Sequence, residues 1–281
     1  MTDLLSVVWN VDPVAFSFGS VEVRWYGLLY ATGFLLAITL LSKMFKSEGC
    51  PEDWSDKYFI YMVIAVVVGS RLGHVFFYDW EYYRHHLSEI PMVWRGGLAS
   101  HGGAIAIILT VWLMAKYMCH RSFLWLADRS YVICALVASM IRIGNLMNSE
   151  IYGCRTDLPW GFQFVRDYPG LPLSEVPVCH PTQIYESLAY LALFGVLLFL
   201  YWRTDARRWE GLLMGIGFTW TFTARFFIEF IKNDQSAFEA DMVLNMGQLL
   251  SIPFVILGIA CIVYALRTRR QVLAGQSPKQ S

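Results

Sequence analysis

Charged side chains are scarce in this chain: 22 lysines and arginines and 22 aspartates and glutamates make up 16% of its 281 residues, against 56% hydrophobic residues. So little charge, with a mean hydropathy of +0.45, excludes an ordinary soluble domain, because a soluble core of this size needs far less apolar surface. The formal net charge of +0 says nothing of partners by itself, and no nucleic acid is expected among them. Other absences narrow the reading further. The six cysteines form no metal-like spacing, and His74, His85, His86, His120 and His180 assemble into no ligand set, so neither a metal nor a cofactor is expected. No linker, internal repeat or second domain stands out. Residues 1–24 hold a single basic residue, Arg24, and no short apolar stretch ending in a small-residue cleavage site, so no cleaved signal peptide is expected.

What remains is apolar runs. Seven of about 20 residues fall at about 25–45, 58–78, 97–118, 130–148, 186–202, 211–231 and 245–266. They predict an all-α integral membrane protein, one transmembrane domain over residues 1–281 with seven transmembrane helices. Lysine and arginine set its orientation: 13 lie in loops one, three and five plus the C-terminal tail, and 6 in the N-terminal segment and loops two, four and six. The positive-inside rule then puts the N-terminus outside and the C-terminus in the cytoplasm. Loop four, about 149–185, is too long for a turn and is expected to fold as a small extracytoplasmic head. Loop two, about 79–96, carries Trp80, Tyr82, Tyr83 and Trp94 and reads as an interfacial arm. Cys154 and Cys179 share loop four, where an oxidising compartment permits a disulfide; Cys50, Cys119, Cys134 and Cys261 read as free thiols.

Against this background a few polar residues are conspicuous. Arg71, Arg142 and Arg225 lie inside apolar runs and His101 just inside another, and an arginine at a bilayer centre costs roughly 2.5–3.5 kcal/mol on insertion scales. At 1.5 Å per residue all four fall about 6–10 Å below the outer ends of their spans, a single layer at the depth of phospholipid headgroups. Arginine's planar fork matches a phosphodiester, and histidine exchanges a proton near neutral pH. Together they suggest a phospholipid substrate and a proton removed from something. Structural alternatives stay open at this point. Arg225 and Glu229, four apart, are spaced to neutralise each other; Arg71 and His74 are spaced as a snorkelling pair; His101 alone is compatible with a packing role. Arg142, Asn145, Asn148 and Ser149 form a polar stripe at helical spacing, which packing explains least well.

The segment Arg142-Ile143-Gly144-Asn145-Leu146-Met147-Asn148-Ser149-Glu150-Ile151-Tyr152-Gly153 resembles the signature of the phosphatidylglycerol–prolipoprotein diacylglyceryl transferases. Further blocks resemble that family in the same order: Arg24-Trp25-Tyr26-Gly27-Leu28, Gly69-Ser70-Arg71-Leu72-Gly73, Gly96 to Gly103 around His101, His180-Pro181-Thr182-Gln183-Ile184-Tyr185-Glu186, and Arg225-Phe226-Phe227-Ile228-Glu229-Phe230. The resemblance implies a multi-pass enzyme of the bacterial cytoplasmic (inner) membrane. It would transfer the sn-1,2-diacylglyceryl group of phosphatidylglycerol to the lipobox cysteine of a preprolipoprotein signal peptide, forming a thioether and releasing glycerol 1-phosphate. Membrane lipids would surround it.

On that resemblance, His101 activates the thiol or relays its proton, and Arg225 stabilises the leaving phosphate. Arg142 would bind the headgroup, and Tyr26, Asn145, Glu150, Gly153 and Glu229 match further functional positions, with Glu229 orienting Arg225. Arg71 joins them as a phosphate-binding candidate. The chain departs from the pattern at Ile141, Leu146, Thr221 and Lys232: Thr221 stands one turn before Arg225 where a tyrosine is expected, and Lys232 where an arginine is common. A phospholipid transporter or scramblase is the alternative. A single outward layer of charge without inverted repeats argues against it.

Overall fold

The computed structural model describes residues 6–19, 21–233 and 242–275. From the N-terminus these residues form strands β1 (Val7–Trp9), β2 (Val14–Phe18) and β3 (Val21–Arg24), then helices α1 (Trp25–Ser47), α2 (Trp54–Phe77), the single turn α3 (Trp80–Tyr83), α4 (Ser100–Met114) and α5 (Phe123–Met147). Strands β4 (Phe162–Phe164) and β5 (Val178–Cys179) follow, then α6 (Thr182–Arg203), α7 (Leu212–Ile228) and α8 (Met246–Gly275). Six helices among the described residues are long and apolar enough to cross a membrane, which makes this a multi-pass membrane protein. The sixth expected run, about 211–231, forms a helix of 17 residues, α7, that tightens into a 3-10 turn over Glu229–Ile231.

Hydropathy misplaced some helix ends for a physical reason. Helix α5 begins at Phe123, ahead of the expected 130, because its first turns bury charge that water would otherwise have to solvate. Arg129 is 1% exposed and grips both carboxylate oxygens of Glu48 at 2.9 Å, while the Trp125 indole donates to the same carboxylate at 3.0 Å. Its guanidinium also lies over the Trp125 ring. Helix α6 likewise starts at Thr182, four residues before the expected 186, since Thr182, Gln183 and Glu186 are all buried.

The chain groups into two compact units, residues Met1–Ala37 with Ser130–Ser281, and Ile38–Arg129. In the second unit α2 and α4 meet backbone to backbone. A Cβ at Gly102 would lie 2.2 Å from the Gly69 carbonyl oxygen and 2.6 Å from the Gly73 Cα, so only glycine permits the approach. The Ala99 amide donates to the Ser70 carbonyl at 2.9 Å, fixing where α4 starts and hence where His101 stands. In the first unit α7 and α8 approach in the same way, with Gly215 against the Gly258 carbonyl.

The first unit also contains what an all-α expectation missed. Two small sheets are present: β1, β4 and β5 form one, with β1 parallel to β4 and β4 antiparallel to β5, and β2 and β3 form a hairpin. Leu146, Phe162, Phe164 and Cys179 make a small core under the first sheet, joined by Trp9, Tyr152 and Ile184. The segment 149–185 thus folds by borrowing an N-terminal strand. Cys154 and Cys179 are both free thiols. In the ladder Cys179 opposes Arg155, so Cys154, one residue out of register, projects from the opposite face. Burial pushes the Cys179 thiol up, which keeps it protonated and unreactive.

Replacing Gly102 by alanine should destabilise the fold by about 1–3 kcal/mol through overpacking, whereas Gly195→Ala, where nothing lies within 4 Å of the added carbon, should be near neutral. Thermal unfolding of the two variants in the same detergent checks this. Equal melting temperatures would contradict the packing described.

Candidate functional site

The polar residues singled out in the sequence divide between the two units. In the unit of residues 38–129, Arg71 is 3% exposed, and its guanidinium is taken up by the loop after α2. Its Nε donates to the Ile90 carbonyl at 2.8 Å, Nη1 to Gly96 at 2.7 Å and Nη2 to Glu89 at 2.9 Å, and the Tyr83 ring stacks 4.9 Å away. An arginine whose donors are so occupied holds the loop together and has little left for a phosphate. His74 pairs with Asp79 at 2.9 Å, not with Arg71. His101, the second residue of α4, is exposed and has no hydrogen-bond partner among the described residues. A free imidazole of that kind is available for proton transfer.

The other unit holds a connected ionic group. Arg142, on the last turns of α5, meets Glu186 of α6 with its Nε 2.6 Å from Oε2, and its Nη1 donates to Asn145 Oδ1 at 3.2 Å. The Asn145 amide in turn donates to Glu150 at 2.8 Å, and Asn148 donates to the same oxygen at 3.2 Å. Glu186, 1% exposed, receives Lys232 on its other oxygen at 2.8 Å. Lys232 also lies 3.6 Å from Glu229. Tyr190, one turn beyond Glu186, accepts a hydrogen bond from Arg142 and stands within electrostatic reach of Arg225. Arg142 and Lys232 pair with the buried Glu186 and Glu229, Glu150 is a third and exposed carboxylate of the group, and Arg225 has no ion-pair partner among the described residues.

Glu229 does not pair with Arg225, four residues earlier. The 3-10 turn that begins at Glu229 brings Lys232 to it at i+3, and Gly247 of α8 leaves room for its carboxyl group, since a Cβ there would lie 2.6 Å from Glu229 Cδ. The missing tyrosine at Thr221 has a counterpart from another helix: Tyr131 of α5 donates to Thr221 Oγ1 at 3.2 Å, its ring filling the notch at Gly217.

The loop after α5 is strained. Ser149 and Ile151 have φ of 56° and 60°, a conformation that β-branched residues such as isoleucine rarely adopt, and it costs about 1–3 kcal/mol per residue. Two buried side chains at the start of α6 hold it: Gln183 Nε2 donates to the Glu150 carbonyl at 2.7 Å and Thr182 Oγ1 to the Ile151 carbonyl at 2.9 Å. Gly153 passes so close to the Ile231 carbonyl, 2.3 Å from where a Cβ would sit, that no other residue fits. Its carbonyl accepts from Asn233 and its amide donates to His180 at 2.8 Å. Tyr26 packs its ring over Gly144, near enough to Arg142 and Glu150 to feel both charges. Tyr26, Arg142, Asn145, Glu150, Gly153, Arg225 and Glu229 thus all belong to this unit.

Residues 13–264 match the family described as prolipoprotein diacylglyceryl transferase. The chain belongs to that family. A relative from Porphyromonas gingivalis, called phosphatidylglycerol–prolipoprotein diacylglyceryl transferase, is 46% identical over 269 residues, 93% of this chain and 95% of its own. Relatives of the same name from Tolumonas auensis and Chloroherpeton thalassium are 43% and 41% identical over 93% of this chain, covering 98% and 95% of their own lengths.

Thr182, Gln183 and Glu186 lie in a block that resembles the family but were given no role from sequence, and Tyr190 was not picked out. A further signal existed for one of them. Glu186 is a carboxylate at the edge of an apolar run, and the test of buried charge that selected the arginines selects it equally.

Arg71→Gln should leave the carbonyls of Glu89, Ile90 and Gly96 short of donors. At about 1.5–3 kcal/mol for each hydrogen bond to a charged group, loss of even one should loosen the loop of residues 79–97. Limited proteolysis in detergent should then cut this loop faster than in the unaltered protein; an unchanged cleavage rate would contradict the clamp.

Proposed function

We propose that this chain transfers the sn-1,2-diacylglyceryl group of phosphatidylglycerol to the lipobox cysteine of preprolipoproteins. Sulfur forms a bond to the glyceryl carbon, that carbon's bond to the phosphate oxygen breaks, glycerol 1-phosphate leaves, and the thiol proton passes to a base. The observation that supports this reading best is that Arg225 has no ion-pair partner among the described residues of the unit that also holds Arg142. A guanidinium without a carboxylate partner, in the same unit as a second one, suits a phosphodiester that gains negative charge as it leaves.

The residues take roles accordingly. Arg142, oriented by Asn145, binds the headgroup, and Arg225 stabilises the leaving phosphate. Tyr26, Glu150 and Gly153 shape the pocket around them, and Glu229 steadies Lys232. Exposed and unpaired, His101 takes the thiol proton; a free thiol ionises near pKa 8.5, so a base beside it raises the thiolate fraction. Arg71 is assigned to holding the loop after α2. The enzyme lies in the bacterial inner membrane with α7 as a seventh span, the N-terminus outside and the C-terminus in the cytoplasm. Segment 149–185 forms an extracytoplasmic head, and the loop of residues 79–96 an arm on the membrane surface.

Mass spectrometry of a lipobox peptide incubated with the purified protein and phosphatidylglycerol tests the reading. The peptide should gain one diacylglyceryl group. His101→Gln should slow the gain about 100-fold or more, the usual contribution of a general base, and Arg142→Ala should abolish it. No mass gain with the unaltered protein would overturn the reading, and wild-type turnover of His101→Gln would remove histidine from the base role.

A further inference from the structure

Arg142 and Arg225 have a function in the proposed reaction, but nothing in it requires a carboxylate and a lysine buried beside them. Glu186 is 1% exposed and Lys232 has a side chain 5% exposed. Removing such a pair from water is costly, and a fold with no use for it is as stable or more so with apolar residues in its place. The geometry suggests the use. Glu186 Oε2 lies 2.6 Å from Arg142 Nε, a close ion pair without hydrogen-bond alignment, so this buried oxygen has no hydrogen-bond donor on it. One outer nitrogen, Nη1, is turned to Asn145 at 3.2 Å. An unrestrained carboxylate is free to take the fork end-on with both oxygens. Lys232 prevents this by holding the second oxygen at 2.8 Å. Glu229, 3.6 Å from the ammonium, keeps Lys232 in place and the group neutral.

We propose that Glu186, restrained by Lys232, is a positioning residue that turns the outer edge of Arg142 toward the phosphate of the lipid donor. The inference rests on the reading of the site as a phosphatidylglycerol site. It also accounts for lysine at 232: a compact ammonium fits between two carboxylates, and a planar fork is not needed there.

A purely structural role predicts something different, and paired substitutions separate the two. Glu186→Gln alone strands two cations and should lower the melting temperature. Glu186→Gln combined with Lys232→Met removes one charge of each sign, so the group stays neutral and the melting temperature should recover toward that of the unaltered protein. If Glu186 positions Arg142, the double variant should still show an apparent KM for phosphatidylglycerol raised about tenfold or more, the loss expected for one charge-assisted hydrogen bond. Adding Arg142→Ala to it should then do less further harm than Arg142→Ala does alone. A double variant with wild-type KM and melting temperature would overturn the proposal.

A second readout keeps this test apart from the transferase reading. Phosphatidylglycerol added to the detergent-solubilised full chain should raise the melting temperature of the unaltered protein and raise it less in the double variant. If no peptide is lipidated, the transferase reading fails, and these shifts still decide the role of Glu186. Equal shifts in both proteins, or none in either, would overturn it.

Discussion

A hydrocarbon interior offers no water to an ion, so every charge kept there must be answered by another charge or by a hydrogen bond. Glu186 is where this chain meets that requirement. With one oxygen on Arg142 and the other on Lys232, it lets two cations remain among buried residues, and through Lys232 it connects to Glu229 at the end of α7. Helices α5, α6 and α7 are therefore tied by one ionic chain. That chain is also the scaffold against which Arg225 is left over, a positive charge without a carboxylate of its own among the described residues. On the proposed reading, an anionic headgroup meets that charge.

The backbone around this group carries strain for the same purpose. Two left-handed residues, Ser149 and Ile151, turn the chain sharply after α5, and without such a turn Glu150 could not return to the Asn145 amide five residues back. Gln183 and Thr182 hold the turn from the start of α6. The segment His180 to Tyr190 thus supplies the hydrogen bonds for the turn and the carboxylate for Arg142. It acts as a template for the signature segment. Glycines contribute where helices and loops must nearly touch: Gly102 against Gly69 sets the start of α4 under His101, and Gly153 lets the turn pass against Ile231.

Membrane character could be read from the sequence because a bilayer selects for long apolar runs and little else imitates them. Arg142 and Arg225 were readable for the complementary reason, that charge in such a run is costly. The same rule could not tell a binding arginine from a bracing one. Arg71 and Arg142 look alike in sequence, yet one is taken up by loop carbonyls and the other meets the side chains of Glu186 and Asn145, a difference set for Arg71 by a loop 18 to 26 residues away in the chain. The pairing of Arg225 with Glu229 failed because i,i+4 spacing assumes a regular helix, and α7 tightens at Glu229. The small sheets were invisible since their strands are two to five residues long, and β1 pairs with a strand more than 150 positions away.

The central claim is that Arg142, held at its inner nitrogen by Glu186, and Arg225 together receive the donor's phosphate. A structure determined with phosphatidylglycerol bound tests it directly. The account predicts phosphate oxygens within about 3 Å of both guanidiniums, with Glu186 still on Nε of Arg142 and Lys232 still between the two carboxylates. A phosphate bound elsewhere, with the fork of Arg142 closed onto Glu186, would contradict it.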